Sequence, residues 1–193
     1  MKPGTGTIVL IAAIFIVFGI EFASHSVGNE TVLLKLGALP DNGELNGEYW
    51  RLATYSFLHL NSTHLLLNTM LLFWIGRIVE RRVNFISASA IYVSSVVCSA
   101  AMILFVHQLH PKIGATMGAS GGIFGLFTAA LIILYREKAQ LLSEPSRLRA
   151  FVWIALLTGL AVSLLPGISM AGHIGGVIGG VVVAPIARLR TNR

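Results

Sequence analysis

Six apolar runs divide the 193-residue chain, and their lengths restrict the folds open to it. A helix needs about 20 apolar residues to cross the ~30 Å hydrocarbon core of a bilayer, and all six runs approach that length. We therefore predict an all-α membrane protein, a bundle of six transmembrane helices in one domain over residues 1–193. The predicted helices cover residues 7–22, 63–80, 85–106, 120–136, 151–166 and 171–189.

The first run has a second interpretation. It precedes the polar stretch EFASHS, as the apolar part of a cleaved signal peptide would. It is long for that role, however, and Lys2 is the only charge before it, so we favour a retained helix.

The charged residues are too few to cover a surface that faces water. Asp, Glu, Lys and Arg make up 11% of the chain, and its mean hydropathy is +0.79. Soluble domains carry about 25% charged residues, so we expect the lipid bilayer to surround this chain. The net charge of +6 raises nucleic acid as a partner, but the basic residues form short clusters between apolar runs and no single patch, so no nucleic-acid binding is predicted. The single cysteine, Cys98, excludes an internal disulfide, and we expect it to be buried.

The basic residues are distributed unevenly among the loops. If six helices start from a cytoplasmic N-terminus, eleven of the fourteen basic residues fall on the cytoplasmic side and three, Lys35, Arg51 and Lys112, on the other. The eleven are Lys2, Arg77, Arg81, Arg82, Arg136, Lys138, Arg147, Arg149, Arg188, Arg190 and Arg193. Cytoplasmic loops carry an excess of Lys and Arg, so both termini are predicted to be cytoplasmic.

One connection is much longer than the others. It runs from Ala23 to Ser62 and should lie on the outer side. Loops of this length are usually functional or disordered. Its stretch ETVLLKLGAL is amphipathic and suits the plane of the interface, and Tyr49 and Trp50 suit the headgroup level.

Polar side chains inside the apolar runs are candidates for function, because they are costly at membrane depth. His64 and Asn68 are four residues apart, and therefore share one helical face. Ser120 stands among glycines in GATMGASGGIFG, where the fourth run begins. His173 precedes Gly176 and Gly180 on one face, and a glycine stripe lets two helices approach closely.

Each of these residues also has a purely structural interpretation. Ser120 could be a small packing residue, and His64 with Asn68 could form an interhelical hydrogen-bonded pair. The row Gly121, Gly125 and Ala129 is turned about 100–180° away from Ser120, which predicts that it packs against a different neighbour.

Several kinds of hydrolytic site do not fit the sequence. GASGG matches the G-x-S-x-G elbow, but no buried strand precedes it, and Asp41, the only aspartate, comes before the serine. No histidine is followed by glutamate, as H-E-x-x-H zinc proteases require. His107 and His110 are expected to have no nearby acidic or cysteine partner, so no metal site and no cofactor are predicted. A serine–histidine dyad remains.

Taken together, the motifs resemble those of the rhomboid family of intramembrane serine proteases. The resemblance covers nearly the whole chain and depends on the order and placement of five stretches on the six-helix plan. These are YWR in the long loop, HLNSTHLLLN entering the second helix, GRIVE at its end, GASGG opening the fourth, and GHIGGVIGG in the sixth. The resemblance implies a rhomboid-like bundle with a water-accessible cavity open to the outer side.

The resemblance also implies the roles of four polar residues. Ser120 matches the nucleophile and His173 the general base. His64 and Asn68 match the pair that helps to form the oxyanion hole, together with the backbone N–H of Ser120. The substrate would be a single-pass membrane protein with a helix-destabilised segment, and the location a bacterial inner membrane.

Further residues near the site match structural positions of the family. Trp50 and Arg51 match a loop motif, and Gly176 and Gly180 match the glycines that pack the sixth helix on the fourth. Gly118 and Gly121 are expected to leave room for substrate backbone beside the serine.

The sequence departs from the family pattern at two positions. Asn84 stands where the last glycine of G-x-x-x-E-x-x-x-G is expected after Gly76 and Glu80. Phe124 replaces a common tyrosine; its ring can stack on His173, and without a carboxylate nearby that stacking must orient the imidazole.

The main rival hypothesis is an inactive rhomboid-like protein that binds transmembrane helices without cutting them. Such relatives typically lack the serine or the histidine, and both are present here. A transporter or channel fits less well, because no second half-repeat or charged pore lining is visible.

Overall fold

The computed structural model describes residues 4–139 and 146–189. Three of the predicted cytoplasmic charges, Lys2, Arg190 and Arg193, lie outside the described residues, as does the side chain of Lys138. The six apolar runs all contain helices, namely α1 Thr5–Ala23, α4 Ser62–Glu80, α5 Phe85–Leu109, α6 Ser120–Ala139, α7 Ser146–Val162 and α8 Met170–Val183. The protein is a mostly helical, multi-pass integral membrane protein.

The long loop between α1 and α4 contains short elements of its own. These are helices α2 Glu30–Leu36 and α3 Arg51–Thr54, strand β1 Leu39–Pro40 and a 3-10 turn at Tyr55–Phe57. β1 pairs antiparallel with β2, Ala115–Thr116, which lies just before α6. Four helices in the described ranges, α1, α4, α5 and α6, are long and apolar enough to cross a membrane.

Several helix boundaries differ from the predicted ones, and α5 ends at Leu109 where 106 was predicted and α7 at Val162 where 166 was predicted. α7 includes Ser146, and so extends at least five residues before the predicted apolar run. α8 ends at Val183, six residues early, because Pro185 cannot donate a helical hydrogen bond; a 3-10 turn, Ala184–Ile186, follows.

α6 lies at the centre of the bundle. Of an 18-residue stretch of α6, 72% is buried, against 17% for α1. α6 packs against α4, α5, α7 and α8, and α8 also packs closely on α5. The helix that begins with Ser120 is therefore held on several sides by the rest of the bundle.

Close packing of α8 depends on its glycines. A β-carbon at Gly176 would overlap the carbonyl oxygen of Gly121, and one at Gly180 would overlap that of Gly125. Backbone atoms cannot move aside as a flexible side chain does. Glycine at these positions therefore permits the short distance between α6 and α8.

Side-chain caps define where several helices begin. Asn61 Oδ1 accepts from the backbone N–H of His64 at 2.9 Å at the start of α4, and Ser169 Oγ from that of Gly172 at 3.1 Å at the start of α8. Asn84 Oδ1 accepts from the N–H of Ser87 at 2.7 Å. Asn84 thus serves as the N-cap of α5, where the motif would place glycine.

The remaining residues of that motif fasten α1 to α4. The Glu80 carboxylate accepts hydrogen bonds from the backbone N–H groups of Gly4, Gly6 and Thr7 and from the Thr7 hydroxyl. A β-carbon at Gly76 would meet Thr7 Oγ1 at 2.5 Å. The negative charge therefore lies at the positive end of α1, where it stabilises the helix.

Candidate active site

Ser120 and His173 lie on adjacent helices and contact each other. His173 Nε2 is 2.9 Å from Ser120 Oγ. Ser120 is the first residue of α6, and His173 lies in the first turn of α8. The His173 side chain is buried, whereas Ser120 is half-buried. The geometry is that of a nucleophile paired with a base.

Phe124 stacks on the imidazole of His173. The ring centroids are 4.0 Å apart and the planes differ by 14°. Phe124 follows Ser120 by four residues, so it occupies the same face of α6 one turn further along. The stacking fixes the plane of the imidazole, and the Nε2 edge of the imidazole faces Ser120.

The imidazole has a second hydrogen-bonding partner that sequence reasoning missed. Ser163 Oγ lies 2.5 Å from His173 Nδ1. Ser163 follows α7 directly, inside the run that was predicted to be helical to residue 166, and no motif distinguishes it from other membrane serines. The expectation that packing on Phe124 alone orients the imidazole is therefore wrong.

His64 and Asn68 lie in the first two turns of α4. A β-carbon at Gly118 would come within 2.7 Å of the His64 ring, so that ring lies against the backbone just before Ser120. Gly118 has a φ of +126°, a conformation that disfavours other residues. The Asn68 amide donates to the carbonyl oxygen of His64 at 2.9 Å. An amide nitrogen carries two hydrogens, so this bond leaves one for another acceptor.

The backbone at Ser120 contributes a donor as well. The first helical hydrogen bond of α6 runs from the N–H of Ile123 to the carbonyl oxygen of Ala119 at 3.1 Å. The N–H of Ser120 therefore belongs to the group at a helix N-terminus that has no intrahelical acceptor. Such a group is suited to binding negative charge.

Gly121 has a different environment from the expected one. A β-carbon there would overlap Ser99 of α5, and its carbonyl oxygen faces Gly176 of α8. Gly121 therefore does not border a space for substrate backbone. The Gly121–Gly125 row faces α5, a different neighbour from that of Ser120 as expected, because a β-carbon at Gly125 would overlap Ser95. Their backbone also contacts α8, because the carbonyl oxygens of Gly121 and Gly125 lie against Gly176 and Gly180.

Arg51 joins several parts of the long loop. Its guanidinium donates to the carbonyl oxygens of Leu34 and Ala38 at 2.5 and 2.8 Å and pairs with Glu48 at 2.6 Å. It also lies over the Trp50 ring, 4.7 Å from the centroid. Both residues thus hold the loop together and do not contact Ser120.

The segment that precedes Ser120 is fastened to the same loop. The side chain of Asp41 accepts from the Thr116 hydroxyl at 2.7 Å, and its backbone bonds Lys112 and Gly114. Asp41 Oδ1 also lies 3.3 Å from His107 Nδ1. The statement that His107 has no acidic partner is therefore wrong, because the fold brings Asp41 to it. No group of three metal-ligating side chains occurs within residues 4–139 and 146–189.

Fold and site together define a multi-pass membrane protein with a serine–histidine pair between two central helices. The sequence profile of the Rhomboid domain matches residues 46–190, and the chain belongs to the rhomboid family.

Cys98, which was expected to be buried, is half-buried in α5.

Curated relatives agree with this assignment. The chain is 33% identical over 184 residues to rhomboid protease GluP of Bacillus subtilis, a match that covers 95% of this chain and 34% of that protein. It is 30% identical over 206 residues to rhomboid protease AarA of Providencia stuartii, covering 93% and 70%. RHOMBOID-like protein 5 of Arabidopsis thaliana is 30% identical over 158 residues, covering 82% and 50%. The chain thus spans a third to a half of two of these relatives.

Proposed function

We propose that this protein is an intramembrane serine endopeptidase that cleaves transmembrane segments of other membrane proteins. The observation that carries the proposal is the 2.9 Å contact between Ser120 Oγ and His173 Nε2. Membership of a family that includes named proteases in two bacteria supports it.

In the first step, Ser120 Oγ attacks the carbonyl carbon of the scissile peptide bond. A serine hydroxyl is a weak nucleophile until a base removes its proton, and His173 Nε2 is in position to accept it. The imidazolium then returns this proton to the leaving amine, the C–N bond breaks, and an acyl-enzyme ester remains. Water hydrolyses the ester by the same sequence of proton transfers.

The tetrahedral intermediate carries an oxyanion that needs hydrogen-bond donors. The backbone N–H of Ser120 provides one at the start of α6. The His64 ring, against Gly118, and the second N–H of the Asn68 amide provide others. Donors fixed before the reaction stabilise this charge without reorganisation, which lowers the barrier.

The proposed topology is a single rhomboid-like domain of six transmembrane helices with both termini in the cytoplasm. α7 and α8 would be the two shorter spans. The uneven distribution of Lys and Arg supports this orientation. We place the protein in the inner membrane of a bacterium, and its substrates would be single-pass membrane proteins with a helix-destabilised segment and a small residue before the cut.

The test is cleavage of a recombinant transmembrane substrate by purified protein in detergent. We expect the wild type to cut it and Ser120→Ala and His173→Ala to lose all turnover with unchanged thermal stability. Ser89→Ala removes a half-buried hydroxyl from α5 beside α1 and should keep full activity. A folded wild type that binds transmembrane segments without cutting them would support the inactive rhomboid-like alternative.

A further inference from the structure

The second ring nitrogen of His173 has a partner that a two-residue dyad does not require. Ser163 is buried, with 4% of its surface exposed, and its Oγ lies 2.5 Å from His173 Nδ1. The same Oγ lies 2.7 Å from the carbonyl oxygen of Gly159. Ser163 therefore links the imidazole to the last turn of α7.

The groups around Ser163 Oγ suit one direction of these hydrogen bonds. A hydroxyl has one proton to donate, and a carbonyl oxygen can only accept. When the Ser163 hydroxyl donates to the Gly159 carbonyl oxygen, 2.7 Å away, its lone pairs remain for His173 Nδ1. That contact is a hydrogen bond only if Nδ1 carries the proton, which leaves Nε2 free to accept from Ser120.

Stacking on Phe124 cannot make this selection. A flip of the imidazole by 180° about its χ2 torsion keeps the ring in the same plane but exchanges nitrogen and carbon positions, and χ2 of histidine has two-fold character. Only a partner that distinguishes nitrogen from carbon at the ring edge fixes the orientation. Ser163 is such a partner on the side away from Ser120.

We propose that Ser163 is a positioning residue for the dyad, which holds His173 in the Nδ1–H tautomer and accepts a hydrogen bond from the imidazolium. The consequence for rate rests on the proposed protease function, whereas the tautomer is a property of the folded chain. Ser163 takes no part in bond making. The proton from Ser120 moves to Nε2 and on to the leaving amine, while the Nδ1 proton stays in place.

The tautomer can be measured without any enzymatic activity. We would label histidine with ¹⁵N, record spectra of the protein in detergent at a pH where imidazoles are neutral, and identify the His173 signals by their loss in His173→Ala. We expect protonated Nδ1 and unprotonated Nε2 in the wild type. In Ser163→Ala, the Nε2–H form should appear. The Nε2–H form in the wild type, or an unchanged spectrum in Ser163→Ala, would overturn the proposal.

The effect on rate separates the hydroxyl from simple packing. Hydrogen bonds to a charged group contribute enough that Ser163→Ala should lower kcat about 10- to 100-fold, with little change in KM. Ser163→Thr keeps the hydroxyl and should recover most of the rate. Ser163→Val has the shape of threonine but no hydroxyl, and should not. A Thr variant no faster than the Val variant, or wild-type kcat in Ser163→Ala, would contradict the inference.

The two proposals fail in distinguishable ways. If the wild type cleaves no substrate, the protease function is wrong, and the ¹⁵N spectra still decide the role of Ser163. If the wild type cleaves and Ser163→Ala matches it in both kcat and tautomer, the protease function stands and the inference about Ser163 is wrong.

Discussion

Gly176 of α8 lies against the carbonyl oxygen of Gly121 on α6, so closely that a β-carbon at position 176 would overlap it. His173 is one helical turn before Gly176, and Ser120 is the residue before Gly121. The contact between two glycines thus determines how near the base comes to the nucleophile. Helices with bulky residues at their contact lie about 8–10 Å apart, and glycines permit less.

Gly176→Val should therefore abolish cleavage while Ser120 and His173 remain present. The new side chain meets backbone, which cannot rotate away, so α8 must move from α6 and the 2.9 Å contact must lengthen. Gly180→Val, one turn further from the dyad, should lower thermal stability more and activity less. Ile178→Ala changes an exposed position on α8 and serves as the control. Cleavage rate and melting temperature are measured for all three, and a fully active Gly176→Val protein would show that this contact does not set the dyad distance.

Asn68→Ala should slow cleavage without abolishing it. If the amide acts as one oxyanion donor among three, its removal lowers kcat by about 10²–10³-fold, as for other single donors. Thr69→Ala is the matched control, because Thr69 is the buried neighbour whose hydroxyl bonds to its own helix at Leu65. A rate in Asn68→Ala equal to that of Thr69→Ala would assign Asn68 a structural role.

Stability should fall as the pH drops from 6.5 toward 3, partly because of His59. His59 is fully buried between the 3-10 turn and α4. The pKa of His59 is lowered from 6.5 to about 3, chiefly by burial and further by the proximity of His64, against a hydrogen bond with the Phe57 carbonyl that raises it. Unfolding therefore takes up a proton within this window. Above pH 6.5 His59 does not lower the free energy of unfolding. Below pH 6.5 it lowers that free energy by at most ~1.4 kcal/mol per pH unit.

Variants at two histidines test this pH dependence. His59→Gln removes the titrating group, so the melting temperature should fall less steeply between pH 6.5 and 4.5 than in the wild type. His110→Gln, at an exposed position just after α5, should retain the wild-type slope. Equal slopes for wild type and His59→Gln would show that His59 is not responsible.

Helix positions and the principal site residues follow from local patterns in the sequence. All six apolar runs contain helices, because a long, mostly apolar run is a local signal. Ser120 could be selected by the glycines around it and by its match to the rhomboid motif, and His173 because an ionisable imidazole is rare and costly at membrane depth. The 2.9 Å contact between these two side chains depends on how α6 and α8 pack. The glycines of α8 indicated a close helix contact, but not which helix would make it.

Contacts between distant polar residues could not be predicted in the same way. Ser163 meets His173 because a turn after α7 brings it there, and nothing in LAVSLLPG marks that serine. Asp41 and His107 are far apart in the chain and meet only when the long loop folds back over α5. Gly121 was expected to leave room for substrate backbone but packs on Ser99 of α5, because position on one helix does not reveal which neighbours fill the space around it.

The most direct test of the central hypothesis is to locate the nucleophile chemically. A fluorophosphonate probe forms a P–O bond with an activated serine and releases fluoride, so the labelled residue can be identified by mass spectrometry of the folded protein in detergent. We predict one adduct, on Ser120, that is absent from Ser120→Ala and also from His173→Ala, in which the serine remains but its base is missing. An unlabelled wild type, an adduct on another serine, or equal labelling of His173→Ala would contradict a Ser120–His173 dyad.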